Sequence, residues 1–135
     1  MIQKCHFRMR HVLHLPYPPS INNYWIASGH RRFISKRGVA FKQAVSEYVA
    51  LHQLDSFGGA LVDVNIILRP RNLRLMDIDN CVKPILDSLQ DAGLMLDDQQ
   101  VGHVSIRRGL PIAGGKCIVS IEVLQGDNDE RTLTC

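Results

Sequence analysis

The sequence predicts an α/β (α+β) single domain built on one mixed β-sheet with two main helices, in the order strand, helix, strand, helix, strand, strand. Three observations carry that prediction. LVDVNIILR, residues 61–69, places Val62, Val64, Ile66 and Leu68 on one side of a period-two stretch, the mark of a half-buried strand. The segments before and after it space their apolar residues at helical intervals instead. KCIVSIEVLQ then returns to alternation, with Val119, Ile121 and Val123 set against Ser120 and Glu122.

Each element can be argued in chain order. MIQKCHFRMR has no clear period and is expected to be a loose basic arm or a poorly fixed strand, and the polar tail 126–135 is expected to be loose, so the core is placed at about residues 12–124. HVLHL, 11–15, is a short strand. It runs into PYPPSINNYW, where three prolines and two asparagines argue for a shaped loop without regular structure. Ser35 is a fitting N-cap for a helix over about 36–53, whose inward face is Phe41, Val45, Tyr48, Val49 and His52. After the FGG break comes the strand of LVDVNIILR. Val82, Ile85, Leu86 and Leu89 mark the second helix, which Ala92 and Gly93 should end. GLMLDDQQVGHVSIRR reads as a turn and a strand, and GLPIAGGK as a hairpin connection to the last strand.

Composition narrows the class of function. The chain has 135 residues, enough for one core, and its 45% hydrophobic and 21% charged content excludes general disorder. No apolar run approaches the roughly 20 residues of a membrane span, so a soluble, cytoplasmic protein without a membrane partner is expected. Cys5, Cys81, Cys117 and Cys135 lie far apart with no C-x-x-C pair and no leader pattern before them, which points to reduced thiols. His11 and His14, the nearest histidines, fall on opposite faces of a strand, so no Cys/His zinc site is expected. The formal charge of +3 permits an anionic partner without requiring one.

The densest chemistry lies in MDIDNCVKPILDSLQ, residues 76–90. Pro84 belongs in a first turn, since proline costs about 3 kcal/mol in a helix interior, and this sets the helix start at Asp79 or Asn80. Asp79 then reads as an N-cap and Asp77 as a solvated loop residue, unless Asp97 and Asp98 of LDDQQV lie nearby. If the strand after Asp98 neighbours the one before Asp77, three or four carboxylates converge. Two like charges 4 Å apart repel by about 4 kcal/mol at an effective dielectric of about 20, so such a cluster calls for a counter-ion. Oxygen donors select a hard cation, Mg²⁺ or Mn²⁺. Lys83 is either an exposed ion pair with Asp79 or a cation for a phosphate. Arg69, Arg71 and Arg74, with Lys36, Arg37, Arg31 and Arg32 near the first helix, are either a solvated basic surface or phosphate contacts.

D-I-D-N-C-V-K-P-I-L-D-S-L, 77–89, followed by L-D-D-Q-Q-V, 96–101, resembles the signature of the RusA family of Holliday junction resolvases. P-Y-P-P-S-I-N-N-Y-W, 16–25, and S-K-R-G-V-A-F, 35–41, extend the resemblance to roughly residues 12–124. It implies a homodimeric, magnesium-dependent endonuclease of DNA recombination and repair, phage or bacterial, that resolves four-way junction DNA by paired nicks. By position it implies Asp77, Asp79 and Asp98 as metal ligands and Lys83 as a catalytic cation. Asn80 matches a position near the active site, although its amide would equally serve as a helix cap, and Asp97 is the weaker ligand of its pair. Leu75 and Met76 depart from the arginine run that some relatives carry before the first aspartate.

Two other classes of function stay open on sequence: a non-catalytic junction-binding module with structural aspartates, and a metal-dependent phosphohydrolase for nucleotides or flap DNA. Symmetric cutting needs two sites related by a two-fold axis, hence the expected dimer. Leu61 and Ile67, on the second face of the central strand, are the candidate apolar contacts.

Overall fold

The computed structural model describes residues 9–74 and 77–124. Strand β1 (Arg10–Leu15) turns Leu13 and Leu15 into the core. Arg10 belongs to this strand and Met9 packs against the core, so the expected loose arm does not extend to them. The rest of that arm, and the tail from 125, lie outside the described residues.

The loop expected over 16–25 contains one helical turn, α1 (Ile21–Tyr24), which starts where the prolines stop and buries Tyr24. A two-stranded hairpin of β2 (Trp25–Ser28) and β3 (Arg31–Ile34) follows, an element not legible in the sequence. Its turn depends on Gly29, whose φ of +62° suits glycine at the first central position of a hairpin turn.

Helix α2 (Lys36–Leu51) begins as predicted. Ser35 Oγ accepts from the Gly38 amide at 3.0 Å and donates to the Asn23 carbonyl, joining the helix start to α1. Phe41 and Val45 are buried, Tyr48 and Val49 pack beside them, and His52 is exposed with its ring over Tyr48.

Strand β4 (Val62–Arg69) shows strict alternation, with Val62, Val64, Ile66 and Leu68 all buried. A 3₁₀ turn at Asp79–Cys81 leads into α3 (Val82–Asp91), which buries Pro84, Ile85, Ser88 and Leu89. The helical segment thus starts where Pro84 places it. Asp79 does not cap it, however, because Ile78 precedes the turn with helical backbone angles and no side-chain cap bond forms. The far end closes as a Schellman motif: the Gly93 and Leu94 amides donate to the Gln90 and Leu89 carbonyls, with Gly93 at φ +88°.

Strands β5 (Val101–Arg108) and β6 (Lys116–Val123) complete a sheet of order β1-β6-β4-β5, parallel only between β4 and β5. The expected β5–β6 hairpin is therefore overturned. β4 lies between the two strands, and the 109–115 connection crosses its end, tied there by Gly109 N–H to Leu68 O and Ile112 N–H to Pro70 O. α3 is the crossover of the parallel pair. One core joins Leu13, Leu15, Phe41, Val45, the inward face of β4, Ile85, Leu89, Leu94, Met95, Val119 and Ile121. Each large aliphatic so buried contributes about 1.5–3 kcal/mol. The alternate residues of the sheet, including Asn65, Ile67, Ile118 and Ser120, are only partly buried.

Candidate active site and nucleic-acid interface

Parallel pairing decides where the carboxylates can meet. β4 delivers the chain to Asp77 beyond Arg69, whereas Asp97 and Asp98 precede Val101, which pairs with Val62 at the opposite end of β4. The strands are neighbours as the convergence argument required, but their direction separates the two ends. α3 spans that gap. Lys83, Asp87 and Gln90 fall on one of its faces by their spacing, and Asp98 lies along it.

Lys83 Nζ donates to Asp98 Oδ2 at 2.5 Å, and Gln90 Oε1 accepts from the Asp98 amide at 3.0 Å. Lys83 thus pairs across to Asp98 rather than along the helix to Asp79. The hydrogen bond from Lys83, before any other cause, holds the Asp98 carboxyl below the usual carboxylate range. The same bond holds the Lys83 ammonium above its ordinary value, with Asp87 and Asp97 adding to the effect. Both groups are therefore charged across the physiological range.

Asp97 has a different task. Its carboxylate accepts from the Gln99 amide at 2.8 Å and forms a capping box with Gln100 around the 3₁₀ turn Asp98–Gln100. Gln100, buried, accepts from the Leu96 and Asp97 amides and donates to the Gly58 and Ala60 carbonyls. The turn that presents Asp98 is thereby pinned to the FGG segment. Gln90 and Gln100 are site-building residues that sequence reasoning did not single out; the spacing D-D-x-Q held the signal for the second.

Asp77 and Asp79 are exposed and make no ion pair among the described residues, and Asn80 sits partly buried in the same turn. Cys81 beside them is buried, and its thiol is pushed up to about 11 by burial first and then by Asp79. Cys117 is raised to about 12, again chiefly by burial, so both are free, inert thiols. Among the described residues no three His, Cys, Asp or Glu side chains stand close enough together to hold a metal ion. The donor chemistry suits a hard cation: Asp77, Asp79 and Asp98 offer only oxygen atoms, and the first two have no ion-pair partner among the described residues.

The arginines gather around a cleft of about 780 Å³. Arg37 reaches it from α2 and Arg71 and Arg74 from the loop after β4, facing the proline-rich segment with Ser20 and Asn23. A second cleft of about 450 Å³ shares Pro70, Asn72 and Arg74 with the first and adds Arg107 and Arg108. Of the other predicted DNA contacts, Arg69 donates from Nε to the Leu110 carbonyl at 2.9 Å. Lys36 is exposed at the first position of α2. Arg31 and Arg32 sit on the hairpin, where Arg32 stacks over Trp25 at 4.7 Å. α1, which gives Asn23 to the large cleft, neighbours the Asp79–Cys81 turn.

A mixed sheet covered by two helices on one face, with exposed aspartates and an arginine-lined cleft, suits a small nucleic-acid-processing domain. The family model described as endodeoxyribonuclease RusA matches residues 16–123, and the chain belongs to that family. It is 34% identical over 111 residues to the crossover junction endodeoxyribonuclease rusA of Enterobacteria phage HK97, covering 82% of this chain and 92% of that protein. The proteins of the same name from Escherichia coli strain K12 and Enterobacteria phage 82 are 31% and 32% identical over 107 residues, each match covering 79% of this chain and 89% of the relative. Among the described residues no helix is long and apolar enough to cross a membrane.

Proposed function

We propose that this chain is a Mg²⁺-dependent endonuclease that resolves four-way DNA junctions by paired, symmetric phosphodiester hydrolysis, acting as a homodimer in the cytoplasm during recombination and repair. The observation that carries the reading is the Lys83–Asp98 contact, which joins two of the four groups expected to act, from segments 15 positions apart.

Asp77, Asp79 and Asp98 are the residues that would hold the metal, with Mn²⁺ able to replace Mg²⁺. When bound, such a cation activates water and stabilises charge on the phosphate. The chain's own groups do the rest. Lys83 keeps Asp98 ionised and stands as a fixed positive charge for the phosphate being cut. Gln90 and the Asp97–Gln100 capping box hold the Asp98 turn still. Arg37, Arg71 and Arg74 bind backbone phosphates, which positions DNA without selecting sequence. Each chain contributes one such set, and a two-fold dimer provides the second.

The test is cleavage of junction, linear duplex, flap and nucleotide substrates by purified protein in Mg²⁺ and in EDTA. Nicking of the junction alone, only in Mg²⁺, supports the proposal. Junction binding without nicks would point to a binding module, and hydrolysis of flaps or nucleotides in preference to junctions to a broader phosphohydrolase.

A further inference from the structure

The large cleft has a composition that backbone binding does not require. Phosphate contacts along a duplex need cations on an accessible surface. Here the cations share the lining with apolar residues: Pro16, Tyr17, Pro18, Pro19, Phe41 and Pro70. We propose that this cleft is a subsite for one nucleotide drawn out of the stack at the branch point, its base against the Tyr17 and proline wall and its phosphate on Arg37, Arg71 and Arg74. The inference rests on the junction-endonuclease reading and extends it to how a branch is told from ordinary duplex.

Four observations support it. The volume, about 780 Å³, lies within the range of pockets that enclose a small molecule, roughly 300–1,000 Å³. The three arginines make no ion pair among the described residues, so their charge is free for an anion. Tyr17 is held in place: a Cβ at Gly115, where φ is +75°, would stand 3.1 Å from the Tyr17 Cβ, so glycine is what lets the ring lie against that turn. Asn23 and Ser20, hydrogen-bonded to each other at 3.2 Å, line the same cleft and can meet a base edge. The second cleft has arginines too, but its walls are Leu73, Leu110 and prolines, with no aromatic ring.

Stacking on an aromatic face serves any base, and at an open branch point the last base pair of each arm lacks a stacked neighbour, so drawing out a base costs less there than inside a duplex. A preformed slot for such a base therefore favours branched over linear DNA with little sequence readout. α1, which lines the slot through Asn23, also neighbours the Asp79–Cys81 turn and so ties the slot to the acidic segment.

The experiment is photo-crosslinking of 5-iodouracil, placed in turn at each position flanking the branch, to the full chain in EDTA. The expected result is a crosslink from one position that maps to Tyr17 and is absent from linear duplex of the same sequence. Ala40→Trp, which fills the cleft from the exposed side of α2, should abolish that crosslink and lower the junction-over-duplex affinity ratio about ten-fold. Junction binding with crosslinks mapping elsewhere at every position, or equal crosslinking of duplex to Tyr17, would overturn the subsite alone. An unchanged affinity ratio in Ala40→Trp would do the same. Absence of junction binding by the wild-type chain would overturn the functional reading and the subsite with it.

Discussion

Lys83 on the first turn of α3 and Asp98 at the head of the turn before β5 form an ion pair at 2.5 Å, the charged contact that, with the Asp98 amide on Gln90, joins the two acidic segments of the chain. Its consequences differ on the two sides of neutrality. Asp98 is held below its ordinary value, so its contribution to stability is complete above the unfolded carboxylate pKa and fades as pH falls through the folded one. Lys83 is held above its ordinary value, so its contribution is complete below the unfolded lysine pKa and disappears as pH rises through the folded one. Between those limits the pair should make stability nearly independent of pH.

Removing the cation tests this directly. Lys83→Ala should raise the Asp98 pKa towards the ordinary carboxylate range, read by carboxyl ¹³C NMR. It should also slow nicking by a factor of about ten or more, with little change in melting temperature. A normal cleavage rate would leave Lys83 as a surface ion pair only.

The carboxylates should separate by role. Asp77→Asn, Asp79→Asn and Asp98→Asn are each expected to abolish cleavage while junction binding stays equal or tightens, because each removes a negative charge from a phosphate-binding surface. Asp97→Asn should retain most activity, and Asp97→Ala should cost about 1 kcal/mol through loss of the cap. Full cleavage by any of the first three would remove that residue from the metal set.

The Asp98 turn should loosen when its buried strut is cut. Gln100→Leu leaves the Leu96 and Asp97 amides and the Gly58 and Ala60 carbonyls without their side-chain partner, at a cost of about 1–3 kcal/mol. Thermal unfolding measures the cost. Hydrogen exchange should show the loss concentrated at 96–98.

Gly38 tests how the hairpin is seated. A Cβ there would come within 2.7 Å of Ile34 Cγ1 and 2.9 Å of the Tyr24 carbonyl, so Gly38→Ala should destabilise the chain by about 1–3 kcal/mol despite alanine's better helix propensity. A raised melting temperature would mean that β3 and α1 yield easily.

These residues also mark how far the sequence could be read. β4 and the cap of α2 were legible because alternation and a Ser N-cap are local signals, written in consecutive residues. The β2–β3 hairpin was not, since four-residue strands are too short to show a period, and only Gly29 signals the turn. Strand order was beyond local reading as well: GLPIAGGK looks like a hairpin connection whether or not β4 intervenes. At the site, the residue types were legible but their partners were not. Asp97 and Asp98 are adjacent and chemically alike, yet backbone geometry makes one a cap and the other the partner of Lys83. Arg37 and Arg71 come together only through the fold. The expected dimer contacts lie apart, Leu61 exposed ahead of β4 and Ile67 on the partly open sheet face opposite Ile118.

The central claim is paired cutting by two equivalent sites, and resolution of a supercoiled cruciform plasmid by mixed chains tests it most directly. Wild-type protein in Mg²⁺ should convert the plasmid straight to linear product, because both strands are cut within one binding event. Adding an excess of Asp77→Asn chains should shift the product to nicked circles, as dimers with one working site cut a single strand. Linear product that is unaffected by the inactive partner, from a protein that light scattering shows to be monomeric, would contradict the two-site account.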